Sequence, residues 1–190
     1  MTMNTFFDSF KDHFLISMPH LNDPHFEHTV IYLCEHSKEG AMGIIINRPA
    51  NVDFIELANH LNMPIDNVPL RSEPIYNGGP VEAERGFILH TSDKVWDNTL
   101  RVTDEVSLSA SLEALEDIAK GRGPDAFRIT LGCAGWDAGQ LDAEIANNDW
   151  LVCEADLDVL FHTPSDMQFT AAARVLGIDM ARLSPDIGHG

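Results

Sequence analysis

Three cysteines, nine histidines and one glycine-dense stretch hold the residue types that could do chemistry in this 190-residue sequence. Cys133 lies within Gly132-Cys133-Ala134-Gly135-Trp136-Asp137-Ala138-Gly139-Gln140-Leu141, which reads as a strand end, a glycine turn and a helix start. A thiol at a helix N-terminus has a depressed pKa and can act as a nucleophile. A nucleophile elbow, however, sets its nucleophile midway between two glycines, whereas this thiol directly follows the first. The same helix start would suit an anion, since backbone N–H groups point out of it. It matches neither G-x-G-x-x-G nor a P-loop, no lysine is near, and Asp137 places a carboxylate where the anion would sit. The stretch therefore reads as a structural corner built around Trp136, and no catalytic residue is assigned.

Histidines raise the question of metal, above all His20, His25 and His28 beside Asp23 and Glu27. A helical turn after Pro24 would put His25 and His28 on one face. No closed zinc spacing and no H-E-x-x-H occurs, so these read as surface histidines, and neither metal nor cofactor is expected. His36 and His90 each close a predicted strand, and Asn47-Arg48 closes another. If those ends converge, His36, Arg48, Arg85 and His90 could bind a small carboxylate-bearing ligand. Asn47, Gly78, Gly79, Trp136 and Gln140 join them as candidate ligand-binding residues. The competing reading pairs the arginines with some of the thirty acidic side chains.

The elements that would position these residues follow from periodicity. His13–Met18 and Thr29–His36 read as strands, the second turning through Ser37-Lys38-Glu39-Gly40 into Ala41–Asn47 as a hairpin. Asp53 starts a helix with Glu56 in a capping box, and Phe54, Leu57, Ala58 and Leu61 form its apolar stripe. A second β region spans Ile75–Asn77, Arg85–His90, Leu100–Val102 and Val106–Leu108. A helix over Ala110–Lys120 is apolar at Leu112, Leu115, Ile118 and Ala119 and is closed by Gly121. Phe127–Leu131 is a strand. A helix from Ala138 to about Asn147 has Asp137 as cap and Gln140 following, and Ser165 with Gln168 repeats that signature before a last helix ending at Gly177. Interleaved strands and helices predict a single α+β domain over 1–190, with a mixed sheet flanked by helices in a compact layered fold.

Composition narrows the function. An apolar share of 44% with 22% charged residues is ordinary for a globular protein. The longest apolar run without a charge, Ala41 to Ile46, is far short of a membrane span, and no signal-peptide core is visible, so a cytoplasmic setting is expected. The net charge is −18, and the four lysines and eight arginines are scattered. Binding to phosphates by counterion release needs clustered cations, so direct nucleic-acid binding is not expected, and a basic protein partner suits the charge better. Cys34, Cys133 and Cys153 form no C-x-x-C and sit among apolar residues, which reads as reduced core cysteines.

The chain resembles the AlgH/YqgE family of small bacterial proteins over nearly its whole length. The resembling residues include Phe14-Leu15-Ile16-Ser17-Met18-Pro19, Asp23-Pro24-His25-Phe26, Val30 through His36, and Gly40-Ala41-Met42-Gly43 through Asn47-Arg48-Pro49. Further matches are Gly78-Gly79-Pro80-Val81, Arg85-Gly86-Phe87 with Leu89-His90, Ala134-Gly135-Trp136 with Ala138-Gly139-Gln140-Leu141, Asn148 with Trp150-Leu151, and Gly188-His189. The resemblance implies an α+β fold and a regulator label, one member having been linked to control of alginate production. Cys34 matches the family pattern; Cys133 stands where the family usually has tyrosine, and Cys153 is not a cysteine of the pattern. The expected function is a non-catalytic cytosolic regulator that binds a protein or a small ligand. The alternative is an enzyme with a small-molecule substrate in a cleft at the strand ends.

Overall fold

The computed structural model describes residues 8–66 and 68–178; Gly188-His189 lie outside the described residues. Strands β1 (His13–Ser17), β2 (Val30–Ser37) and β3 (Gly40–Ile45) form an antiparallel meander, followed by β4 (Pro49–Asp53) and helix α1 (Phe54–His60). Strands β5 (Pro74–Asn77), β6 (Val81–Thr91), β7 (Thr99–Arg101) and β8 (Val106–Ser109) lead to helix α2 (Leu112–Ala119). The last described elements are β9 (Phe127–Asp137), α3 (Gln140–Ala146), β10 (Trp150–Glu154), α4 (Leu157–Phe161) and α5 (Ser165–Val175). One sheet runs β10-β1-β2-β3-β9-β6-β8-β7, with β4 and β5 off that path. The β5–β9 pairing is parallel and the rest antiparallel, so the α+β fold carries a mixed sheet.

Side-chain alternation divides the interior into separate apolar clusters. Phe14, Tyr32, Cys34, Ile44, Phe87, Leu89 and Leu108 turn to one face and pack with Val159, Leu160, Ala172 and Ala173 of α4 and α5. That cluster joins both ends of the strand order, so the sheet curls around it as a half-barrel. The opposite face carries two separate cores. Leu15, Ile31, Ile45, Trp136 and Trp150 lie beneath α3 through Leu141, and Ile75, Ile88 and Ile129 lie beneath α1 and α2.

Local chemistry sets the helix starts. Asp53 Oδ1 accepts from Glu56 N at 3.0 Å while Glu56 Oε2 accepts from Asp53 N at 3.1 Å, the expected capping box. Ser111 caps α2 through Ala114 N. Two other caps differ from expectation. The N-cap of α3 is Gly139, not Asp137, and Gln140 instead accepts from Asp137 N at 3.0 Å. The N-cap of α5 is Pro164, not Ser165, and Gln168 is fully buried, donating to Val159 O at 2.8 Å. A polar side chain this near a helix start serves tertiary packing when α4 offers it a carbonyl.

The glycine stretch is also not a turn. Strand β9 continues through it to Asp137, six residues beyond the expected end at Leu131. The reason is topological. Strand β5 pairs with one edge of β9 at residues 129–131 and β6 with the other, yet only Gly78-Gly79-Pro80 separates β5 from β6. That link must cross the face of β9. A Cβ on Gly79 would stand 2.2 Å from Cys133 O, and one on Gly132 would stand 2.2 Å from Gly79 O. Backbone therefore lies on backbone where no side chain fits. On the far side β6 bulges, advancing from Val81 to Gly86 while β9 steps from Cys133 back to Leu131.

Candidate functional site

The candidate ligand residues are distributed over several parts of the fold. His90 pairs with Phe127 at the start of β9, and Ala41, which faces His36, pairs with Trp136 near its end. Nine residues of strand separate these points, roughly 30 Å at about 3.3 Å per residue. His36 accepts from Phe10 N through Nδ1 at 2.9 Å, so its proton sits on Nε2, which donates to Asp142 Oδ1 at 3.1 Å. With Ser9 Oγ donating to His36 O, this histidine ties residues 9–10 to the sheet end. His90 is fully buried, with Nδ1 2.7 Å from Thr91 O and Nε2 2.7 Å from Ser109 Oγ. The carbonyl can only accept, so Nδ1 carries the proton and Ser109 donates to Nε2. Burial pushes the His90 pKa down, partly opposed by the Thr91 carbonyl.

Asn47 and Arg48 both serve the loop before β2. Asn47 accepts from Val30 N and donates to His28 O, each at 2.9 Å, while Arg48 donates to His25 O and to Glu27 O. His25 and His28 sit in turns rather than on a helical face, the His28 ring lying edge-on to Phe169. Arg85 is exposed, 3.3 Å from Glu82 and 5.2 Å from the Phe87 ring centre. Trp136 donates to Glu144 Oε1 at 3.3 Å, as Trp150 does at 3.2 Å, and both indoles pack on Phe26. Gly78 and Gly79 are occupied by the strand crossing, and Gln140 by Asp137 N.

The thiols are poor nucleophiles here. Cys34, Cys133 and Cys153 are free and buried. Burial raises all three pKa values, that of Cys153 to about 11. Among the described residues no group of three or more His, Cys, Asp or Glu side chains converges as metal ligands, and no helix is long and apolar enough to cross a membrane.

A cavity of ligand size among the described residues lies elsewhere. Helices α1 and α2 cover the same sheet face and part over the β6 bulge, leaving a groove of about 1090 Å³. Its floor and walls are Val52, Leu57, Leu61, Leu112, Leu115 and Leu131, and Glu56, His60, Glu84 and Arg85 stand among them. Leu61 is 38% and Leu112 54% exposed, so the apolar stripes of both helices extend past what the sheet buries. The lining is thus mostly apolar, with a few polar and charged groups set into it, the composition common to ligand- and partner-binding clefts.

A family model described as AlgH-like matches residues 14–181. The chain belongs to the AlgH-like family. Within it, a UPF0301 protein of Marinomonas sp. (strain MWYL1) is 87% identical over 188 residues, spanning 99% of this chain and 100% of its own. A UPF0301 protein of Pseudomonas fluorescens (strain Pf0-1) is 46% identical over 180 residues, 94% of this chain and 95% of its own. The solution structure of the AlgH protein from Pseudomonas aeruginosa superposes with a TM-score of 0.79 at 42% identity, covering 100% of this chain and 99% of that one. A Corynebacterium diphtheriae protein of 22% identity shares the fold at a TM-score of 0.72, over 94% of this chain and 93% of that one.

Sequence reading of this AlgH-like chain missed the groove because Leu61 and Leu112 look like core positions of amphipathic helices. The one available signal is stripe width, Leu61 lying at the very end of α1 and Leu112 at the very start of α2. Arg128 was missed as well. It is buried and reaches across the half-barrel, donating to Leu160 O at 2.8 Å and Thr163 O at 2.7 Å, with its guanidinium 4.8 Å from the Tyr76 ring centre.

Proposed function

We propose that this AlgH-like protein is a non-catalytic cytosolic regulator or adaptor that works by holding a segment of a partner protein in the α1–α2 groove. The groove carries this reading, because among the described residues it presents apolar side chains to solvent on a face that the described elements leave open. The state of the reactive side chains supports it. The thiols are buried and held protonated, the His36 ring nitrogens hold Phe10 N and Asp142, and those of His90 meet Thr91 O and Ser109. Free buried cysteines suit a reducing compartment, which favours the cytosol.

The test is site-specific photo-crosslinking in cells. A photoreactive residue is placed at Leu61, at Leu112 and, as a control, at Val95, which is 61% exposed in the loop past the opposite end of β6. The same adduct is expected from both groove positions and not from Val95. No shared adduct, or one equally strong from Val95, refutes the reading.

A further inference from the structure

The groove's dimensions and surroundings specify its partner more narrowly. We infer that the occupant is a short amphipathic helix with an apolar stripe and basic flanks, supplied by another protein; this inference rests on the groove being the binding site. Two observations converge on it.

Shape is the first. Helices α1 and α2 lie on one sheet face with bare apolar surface between them, the position that a further helix takes in a layered fold. A helix about 10 Å across fills 1090 Å³ over a length of roughly 14 Å, about nine residues at ~1.5 Å each. Two to three turns place leucines at i, i+3/i+4 and i+7 against Leu57, Leu61, Leu112 and Leu115, which is the helix-in-groove mode of recognition. An added strand suits the site less well. Residues 82–85 of β6 are displaced in a bulge there and offer no straight edge.

Charge is the second. Glu56 and Glu84 line the groove, Glu82 sits in the bulge, and Glu113 is exposed on the first turn of α2. Against them stands Arg85, which Glu82 already engages at 3.3 Å. The rim is thus acidic within a chain of net charge −18, which selects lysine or arginine on a partner's polar face and disfavours acidic segments and a second copy of this chain.

The probe is a synthetic 14-residue helix with leucines at that spacing and lysines elsewhere, compared with its glutamate-for-lysine analogue and a scrambled lysine–leucine peptide. Fluorescence anisotropy at physiological salt measures binding to wild type, Leu61→Asp and Leu112→Asp, and amide chemical shifts map the contact. Each substitution adds negative charge at an exposed position, so it strengthens a merely Coulombic attraction while spoiling apolar seating. Saturable binding of the lysine–leucine helix is expected, at least tenfold weaker for either Asp variant and for the scrambled peptide, with shifts confined to the groove.

Unchanged or tighter binding by the Asp variants overturns the inference, as does equal affinity for the glutamate analogue. Concentration-dependent dimerisation of the wild type that Leu112→Asp abolishes also overturns it, since the groove then holds a second copy. If the peptide fails while the Leu61 and Leu112 crosslinks persist, the partner's chemistry is wrong and the binding reading stands. If the crosslinks fail too, both fall.

Discussion

The crossing of Gly78–Pro80 over β9 makes a quantitative prediction about four glycines. Gly79→Ala would place a methyl group 2.2 Å from Cys133 O and 2.3 Å from Cys133 C, at a φ of +148°. Gly132→Ala meets Gly79 O at 2.2 Å with φ at +77°. Both obstacles are backbone atoms of paired strands, which cannot swing aside as a side-chain tip could. Overpacking costs about 1–3 kcal/mol and positive φ about 1–2 kcal/mol, so each variant should lose roughly 2–5 kcal/mol. Two controls separate these contributions. Gly139→Ala keeps φ at +76° but meets nothing within 4 Å, so only about 1 kcal/mol is expected. Gly135→Ala reaches Val81 Cγ2 at an ordinary 3.7 Å and should be neutral within about 0.5 kcal/mol or slightly stabilising. Chemical denaturation gives the free energies directly, and at about 2–4 °C per kcal/mol thermal melts should rank the four in the same order. If Gly79→Ala and Gly132→Ala melt with wild type, or Gly139→Ala costs as much as they do, the crossing is not what demands glycine. A ligand cradle would then be the better account.

Trp136→Ala should lose about 3–5 kcal/mol, because the ring is 7% exposed and packs on Phe26 and Trp150; denaturant titration checks this. The depressed His90 pKa predicts acid sensitivity. Between that value and about 6.5 the unfolded chain holds a proton that the folded chain does not, so stability falls as pH drops through this window. The slope of melting temperature against pH there should shrink in His90→Gln. Native protein should resist a thiol reagent at mildly alkaline pH and label at Cys34, Cys133 and Cys153 only on unfolding; fast native labelling of all three contradicts the burial argument. Duplex DNA should not bind appreciably at physiological salt, and tight, salt-sensitive anisotropy changes would refute that expectation.

What the sequence by itself determined is what short-range physics controls. The Asp53–Glu56 capping box, the β2–β3 hairpin and the closing glycines Gly121 and Gly177 each depend on groups a few residues apart, and each forms as read. Alternation likewise marked most strands, since one face of each must leave water. Strand β4 and edge strand β10 escaped notice because Asn51 and Asp53 obscure the pattern in one, and Trp150-Leu151-Val152-Cys153 is apolar on both faces in the other. Tertiary structure decided the rest. The glycines around Cys133 look like a turn to any local rule, yet they are strand, because β5 and β6 flank β9 and their three-residue link has to cross it. His36 meets Asp142 across 106 residues of sequence, and His90 meets Ser109 across 19, pairings that periodicity cannot foresee. The groove has the same origin. Leu61 and Leu112 are ordinary members of apolar stripes until the curled sheet fixes where α1 and α2 lie, and only the gap between those helices turns two leucines into a surface.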